Sequence, residues 1–444
     1  LGSSDSVSRL PSVLTIALWC VVRLGSDAIE NSGRNASACQ NIQPRHDNVK
    51  TSREIGDTGM NKYLALAIGG CLSTAAHAQS SVTLYGLIDN GVSYVNNQRG
   101  HSNVFASSGN IVGNRWGVLG TEDLGGGLQA VFRLENGFTG TNGTFQQGGR
   151  MFGRQAYVGL SSPPYGTVTL GRQYDSVVDY LAPRSLAQSF VGGLEFVHPM
   201  DNDNFGDFFR LDNAVKYSSI DYKGLKFGAL YAFSNTAGGF TDNRAFSVGA
   251  TYSIDPLTIS AAFMQIDHPG DGAAGALDGS SSSGDATFHA VRQRVWGVGA
   301  SYVWGAATLG LVWSESRLAG ATAVNRGSSF APASTGSPTD LRFDNFEANV
   351  RYLITPAWLV AASYTFTLGS YSNASVRARP RWNQVNIMTS YSLSKRTDLY
   401  LMAEYQTVSG VAGTVFNGAF IGGSGGPSTT NHQFLTSAGL RVKF

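Results

Sequence analysis

From residue 81 onward apolar side chains fall at every second position, in segments of about nine to eleven residues, the length of a tilted membrane strand. The last segment is the clearest. Phe434, Thr436, Ala438, Leu440, Val442 and Phe444 share one face, and Leu435, Ser437, Gly439, Arg441 and Lys443 share the other. The same split recurs in residues 346–354, 358–366, 385–393 and 399–405, whose opposite faces carry Glu347, Asn349, Arg351, Thr365, Asn386 and Glu404. A strand facing water on that side would show charge where these faces show Leu, Val, Ala and Tyr, so a soluble β-sandwich fits the pattern poorly.

Connections alternate in length. Short turns are expected at residues 123–127, 161–166, 221–224, 253–256, 304–306, 354–357 and 394–398. Long Gly/Ser/Asn-rich loops are expected near 96–112, 137–150, 174–209, 234–244, 267–292, 315–341, 367–381 and 407–432. Seven turns and eight loops join sixteen strands. The pattern therefore predicts a 16-stranded antiparallel transmembrane β-barrel with short periplasmic turns and long extracellular loops. An unpaired backbone amide in hydrocarbon costs several kcal/mol, so the first strand must meet the last, with residues 82–89 against 435–444. Trp116, Trp313, Trp358, Tyr391 and Tyr405, at segment ends, would form the interfacial girdles.

Composition agrees. Only 14% of residues are charged, well under the usual quarter, and no run of eighteen apolar residues would make a helical span. The net charge of +2, without a dense Lys/Arg block, gives no reason to invoke nucleic acid. The three cysteines, Cys20, Cys39 and Cys71, all fall in the first eighty residues. Residues 60–78, with Lys62, an apolar stretch and an Ala76-His77-Ala78 exit, read as a secretory signal peptide, which makes 79–444 the mature barrel and leaves it free of thiols. Residues 1–59 read as an upstream extension without a function of its own.

Four stretches carry a family resemblance: Ser81-Val-Thr-Leu-Tyr-Gly-Leu-Ile-Asp89, Asn114-Arg-Trp-Gly-Val-Leu-Gly-Thr-Glu-Asp-Leu-Gly-Gly-Gly-Leu128, Gly153-Arg-Gln-Ala-Tyr-Val-Gly-Leu160 and Gly166-Thr-Val-Thr-Leu-Gly-Arg-Gln-Tyr174, together with the terminal Phe444. They resemble the trimeric general-diffusion porins of Gram-negative outer membranes, of the betaproteobacterial type. The resemblance implies a homotrimer in outer-membrane lipid, a water-filled pore in each subunit, a second loop (137–150) latching onto the neighbour and a third loop (174–209) folded into the lumen. It also implies that Phe444 is read by the outer-membrane assembly machinery, and it places Arg154 at the constriction.

A sixteen-stranded barrel is wide enough for an aqueous channel, so whatever narrows it sets selectivity. Loop 174–209 carries six carboxylates against the single strong base Arg184. Alternation points Arg115, Arg133 and Lys216 inward on the facing wall, with Arg210 a rival to Lys216, and Glu135 shares the parity of Arg133. Asp179 and Glu195 are the acids chosen for the eyelet. Basic wall and acidic loop would then set up a transverse field, focused by low-dielectric walls. Arg172 shares the outward parity of Val168 and Leu170, and a bare guanidinium in lipid is costly, so it is assigned to the subunit contact.

Other chemistry is set aside. Gly125-Gly126-Gly127 lacks the following Lys-Ser/Thr of a phosphate loop, and His101, His198, His268, His289 and His432 show no metal-ligand spacing. No cofactor, metal or catalytic residue is expected. The sequence thus reads as an outer-membrane channel for passive diffusion of small hydrophilic solutes and ions. A substrate-selective channel for an anion, sugar or amino acid is the alternative, followed by a barrel adhesin or enzyme.

Overall fold

The computed structural model describes residues 80–444, apart from 190–191, 271–274, 279–284, 328–329 and 333–337. The expected upstream extension (1–59) and signal peptide (60–78) lie outside the described residues. The wall consists of β1 (Ser81–Gln98), β2 (His101–Ser108), β3 (Arg115–Gly125), β4 (Leu128–Gly137), β5 (Gln155–Ser162), β6 (Gly166–Gln173), β7 (Leu211–Ser218), β8 (Leu225–Ala232) and β9 (Ala245–Ile254). It continues through β10 (Leu257–Asp267), β11 (Arg292–Trp304), β12 (Ala307–Ala321), β13 (Thr339–Thr355), β14 (Trp358–Ser372), β15 (Arg381–Ser392), β16 (Thr397–Ser409) and β17 (His432–Lys443).

Every neighbouring pair is antiparallel, as expected when each strand follows its predecessor through a turn or loop. The sheet holds 18 segments. Two of them, β2 and β3, share one position in the wall, because β1 pairs with β3 through residues 81–87 and with β2 through residues 90–98. A third is the two-residue piece Arg377–Ala378 at the rim. What remains is a closed barrel of sixteen strands.

Closure follows the argument from backbone satisfaction, in a different register. Leu87 faces Lys443 and Val95 faces Leu435, so the seam uses the second half of β1 while the first half pairs with β3 alone. Phe444 completes it: Gly86 donates its N–H to the Phe444 carbonyl at 3.1 Å and the Phe444 N–H returns to Gly86 at 3.0 Å. Strands of a closed barrel tilt and stagger, and that shear displaces the ends from the level pairing a sequence suggests.

All seven predicted short turns are present. The first predicted long loop is different. Arg99 and Gly100, both at positive φ (54° and 99°), make a two-residue hairpin turn, and β2 then runs back along β1. Only residues 109–114 leave the wall, and they bend inward because the Asp89 carboxylate accepts the N–H groups of Ile111 (2.8 Å) and Val112 (2.9 Å). Expected loop 315–341 is also shorter, with β12 continuing to Ala321 and β13 starting at Thr339.

The outer face bears the exposed apolar residues, among them Val82, Leu84, Leu160, Leu311, Ile387 and Leu401. The densest packing is inside the barrel, where Val177, Leu181, Phe205 and Phe209 meet Ala232, Ala245, Met264 and Val295 of the wall. This inversion is what lipid outside and a folded loop inside demand.

Candidate pore constriction

Segment 174–210 travels from β6 to β7 by way of the lumen. Asp175 starts it: one carboxylate oxygen accepts the N–H of Val177 at 2.7 Å and of Val178 at 3.3 Å, and the other accepts the Asn204 amide at 2.8 Å. The helical turn Val177–Leu181 that follows is buried against the wall. The wall makes room with glycines. A Cβ on Gly249 would lie 2.8 Å from the Tyr180 ring, and one on Gly297 would lie 3.0 Å from Leu181. Without these bare backbone sites on β9 and β11 the turn could not dock.

Polar anchors hold the far side. His198 bonds Asp203 through Nδ1 (2.7 Å) and Glu347 of β13 through Nε2 (3.0 Å). Glu347 also accepts the Ser185 hydroxyl at 2.8 Å and the Leu186 N–H at 2.7 Å. Gln384 of β15 donates to the Val197 carbonyl at 2.9 Å, and Ser316 of β12 to the Asn202 carbonyl at 2.7 Å. The two carboxylates push the His198 imidazole up to about 10 despite its burial, so it is a cation at neutral pH. Burial raises Asp201 to about 8 and Glu195 to about 8, so both are mostly protonated there.

Where the loop leaves the lumen, charges converge. Arg154, just before β5, donates from Nε to Glu135 of β4 at 2.9 Å and from Nη2 to the Tyr174 hydroxyl at 2.6 Å. The same Nη2 is 3.4 Å from Asp207. Arg210 donates to Asp207 at 2.7 Å and lies 5.0 Å from the centre of the Tyr174 ring. Arg115 of β3 is 3.8 Å from Glu135. Tyr85 of β1 donates its hydroxyl to Glu135 at 2.7 Å, while Arg133 stacks on the Tyr85 ring at 5.5 Å. Arg154, Arg210, Asp207 and Phe208 line a cavity of about 460 Å³ with Asp285 and Gln147.

Arg115 and Arg154 therefore meet at the Glu135 carboxylate, with Arg133 on the Tyr85 ring beside it. Lys216 and Asp179 form an ion pair with each other, and the Lys216 ammonium also donates to the Tyr174 carbonyl at 3.0 Å. Glu195 is turned away from the passage: it is buried at the wall and accepts the Ser437 hydroxyl of β17. Asp175, Asp201 and Asp203 are fully buried as well. Of the six acids on the loop, only Asp179 and Asp207 keep appreciable side-chain exposure, at 27% and 17%.

Arg172 does not follow the outward parity of Val168 and Leu170. The β6–β7 register shifts between Gly171 and Gln173, and at this bulge the guanidinium turns to the Gly153 carbonyl (2.7 Å), Asp212 (2.7 Å) and Asp285. Its ion pairs thus come from its own chain, which corrects the expectation of a neighbour's acid. Arg150 joins the same group, with Asp278 at 2.6 Å. Asp207 and Arg210 are the principal functional candidates that the sequence left in the background. Their signal was an oppositely charged pair three residues apart where the loop meets β7.

Residues 64–410 match the Gram-negative porin family. The chain is 31% identical over 386 residues to an outer membrane porin protein of Bordetella pertussis, an alignment covering 77% of this chain and 93% of the relative. It is 34% identical over 214 residues to outer membrane porin protein 32 of Delftia acidovorans, covering 46% and 58% respectively. Among solved structures, the anion-selective porin from Comamonas acidovorans superposes with a TM-score of 0.62 at 24% identity, covering 82% of this chain and 100% of that one. A loop-deletion form of OmpT from Vibrio cholerae gives a TM-score of 0.57 at 16% identity, with 82% and 99% covered. With a closed sixteen-stranded wall, a lumenal third loop and a match across most of its length, the chain belongs to the Gram-negative porin family and forms an outer-membrane channel.

Proposed function

We propose that this channel passes small hydrophilic solutes and ions by passive diffusion and that its selectivity is set by Arg115, Arg133, Glu135, Arg154, Asp207 and Arg210. The observation that carries the reading is the ratio of charge in that cluster: four guanidinium groups meet two carboxylates, Glu135 and Asp207. The acids that give loop 174–210 its formal negative charge are largely buried in its own fold, and Arg154 and Arg210 are buried beside Asp207 as well, so the cluster acts on a passing solute through its net field rather than by contact. A preference for anions follows, because a low-dielectric wall focuses the field of a few uncompensated charges.

Reversal potential across a planar bilayer under a KCl gradient tests this. Purified protein should give stepwise conductance with an anionic reversal potential, and Arg154→Ala and Arg210→Ala should each move it toward cations. Silence in the bilayer, or an unmoved reversal potential in both variants, overturns the reading. Saturable flux with current block by one solute class would transfer it to a substrate-selective pore.

The functional unit in this proposal is a homotrimer in outer-membrane lipid. It is supported by the tip of segment 138–154, which presents Phe145 and Met151 about half exposed. Phe444 is proposed as the signal for the assembly machinery, in keeping with its place at the end of the closing strand. Cross-linking of detergent-extracted protein should yield a three-copy species, and removal of Phe444 should lower barrel yield in the outer membrane.

A further inference from the structure

Between the lumenal loop and the short-turn end of β11 to β13, the inner wall carries two guanidinium groups that no acid neutralises. Arg184 ends the short helical turn Ala182–Arg184 of the loop. Its carbonyl accepts the Asn349 amide of β13 at 2.9 Å, and its Nη1 donates to the Ser301 hydroxyl of β11 at 2.8 Å. Ser301 faces Gly310 of β12 and Gly310 faces Asn349, so both contacts lie at one level of the wall. Arg351 follows Asn349 by two residues on the same face, about 7 Å nearer the turn at 354–357. It stands opposite Thr308 of β12. Its neighbour Tyr352 is exposed on the outer face while Asn349 is buried, which fixes Arg351 as lumenal.

Both side chains are only partly covered, yet the Nε–H of each is buried without an acceptor. Buried donors are ordinarily satisfied, so the missing acceptor is itself a signal. Among the described residues neither guanidinium forms an ion pair. Glu347, the carboxylate on the same face of β13, is already taken by His198, the Ser185 hydroxyl, the Leu186 N–H and the Asn349 amide. Burial, and then the charge of Arg351, hold the Arg184 guanidinium below its ordinary range, as two like charges sharing a site require. The eyelet is different, because Arg115, Arg154 and Arg210 each have Glu135 or Asp207 beside them. Strand order puts β12 half-way round the barrel from β4, so this pair stands on the wall across the lumen from the eyelet arginines.

We propose that Arg184 and Arg351, with the Ser301 and Thr308 hydroxyls, form a second anion station on the periplasmic side of the loop, which holds a doubly charged oxyanion, a phosphate or a small dicarboxylate, on its way through. The proposal rests on the anionic passage inferred above and adds the place where the anion is held. Two unpaired guanidinium groups call for two negative charges, and their planar N–H forks match the oxygens of phosphate and carboxylate alike. A halide brings one charge and no second oxygen to bridge the pair. The eyelet, with its carboxylates in place, repels cations through its field, whereas this pair has its donors free to bind.

Binding can be read without a bilayer, from the NMR line broadening of hydrogen phosphate and of isotope-labelled malonate at pH 8 in the presence of detergent-extracted protein. The wild type should bind both dianions, and chloride should displace them only at roughly tenfold higher concentration or more. Arg351→Gln should weaken binding roughly tenfold and R184Q/R351Q roughly a hundredfold, the scale of one and two charge-assisted hydrogen bonds. Lys395→Gln, which removes the same charge from the exposed turn at 394–398, should bind as the wild type does. Arg351 has no ion-pair or hydrogen-bond partner to lose among the described residues, so Arg351→Gln carries the test if the double variant fails to fold. Binding of one dianion alone supports the station and names its source. Equal binding by Arg351→Gln, an equal loss in Lys395→Gln, or chloride competing as well as the dianions overturns it. Dianion binding that Arg351→Gln weakens, in a protein silent in the bilayer, would support the station and overturn the passage reading instead.

Discussion

Replacing His198 by Ala should loosen the lumenal loop while leaving the barrel intact. In the docked state His198 sits between Asp203 and Glu347, and its pKa rises from the ordinary 6.5 to about 10. An undocked loop would return it to water and to about 6.5. The docked state therefore binds more protons between those values. The stabilisation is complete below about pH 6.5, declines as pH rises, and is gone above about 10. The difference corresponds to about 5 kcal/mol. Removing the imidazole leaves two buried carboxylates facing each other, and breaking a buried pair costs about 3–5 kcal/mol, the same scale. Burial raises Glu195 and Asp201 to about 8, so their cost to docking grows as pH rises toward that value and levels off once both are ionised. The window that tests His198 is pH 8 to 10. In single-channel recordings the wild type should show growing open-state noise across that window. His198→Ala should be noisy at pH 8 already and change little to pH 10. The temperature at which the barrel unfolds in sodium dodecyl sulfate should hardly move, since the hydrogen-bonded wall is untouched. A wild type whose noise is flat from pH 8 to 10, or a variant that tracks it, would refute the assignment of His198 as the anchor.

Three other outcomes follow from the same geometry. At pH 7, Asp207→Asn should move the reversal potential toward anions, whereas Glu195→Gln should leave it in place, because Glu195 is buried at the wall and mostly protonated. Gly249→Val places a methyl-bearing carbon where a Cβ already comes within 2.9 Å of the Ser176 carbonyl oxygen, so overpacking of about 1–3 kcal/mol should displace the helical turn and raise single-channel conductance. At the seam, a Cβ on Gly86 would meet the Phe444 ring at 2.4 Å, so Gly86→Val should slow refolding from urea and lower the temperature at which the heat-resistant band on gels is lost.

Much of this was legible in the chain itself. A two-residue period needs only the local rule that neighbouring side chains of a strand point to opposite faces, so the strand count, the seven short turns and the inward set Arg115, Arg133, Glu135 and Lys216 came from counting. The same rule could not see that β7 bulges at residues 212–213 opposite Arg172, which no composition marks. It also could not see that Asn-Gln-Arg-Gly at 97–100 closes a hairpin inside an expected loop.

The fate of the acidic loop was the larger uncertainty, and its reason is physical. Six carboxylates in a row of sequence say nothing about burial. Which of them keep their charge depends on how the loop docks on wall glycines, at Gly228, Gly249 and Gly297, and on Glu347 and Ser437 from distant strands. Alternation fixed the wall, because a strand's faces are set by nearest neighbours in the chain. Only the tertiary structure decided the electrostatics of the passage, because desolvation and ion pairing depend on what the closed barrel brings together across its own interior.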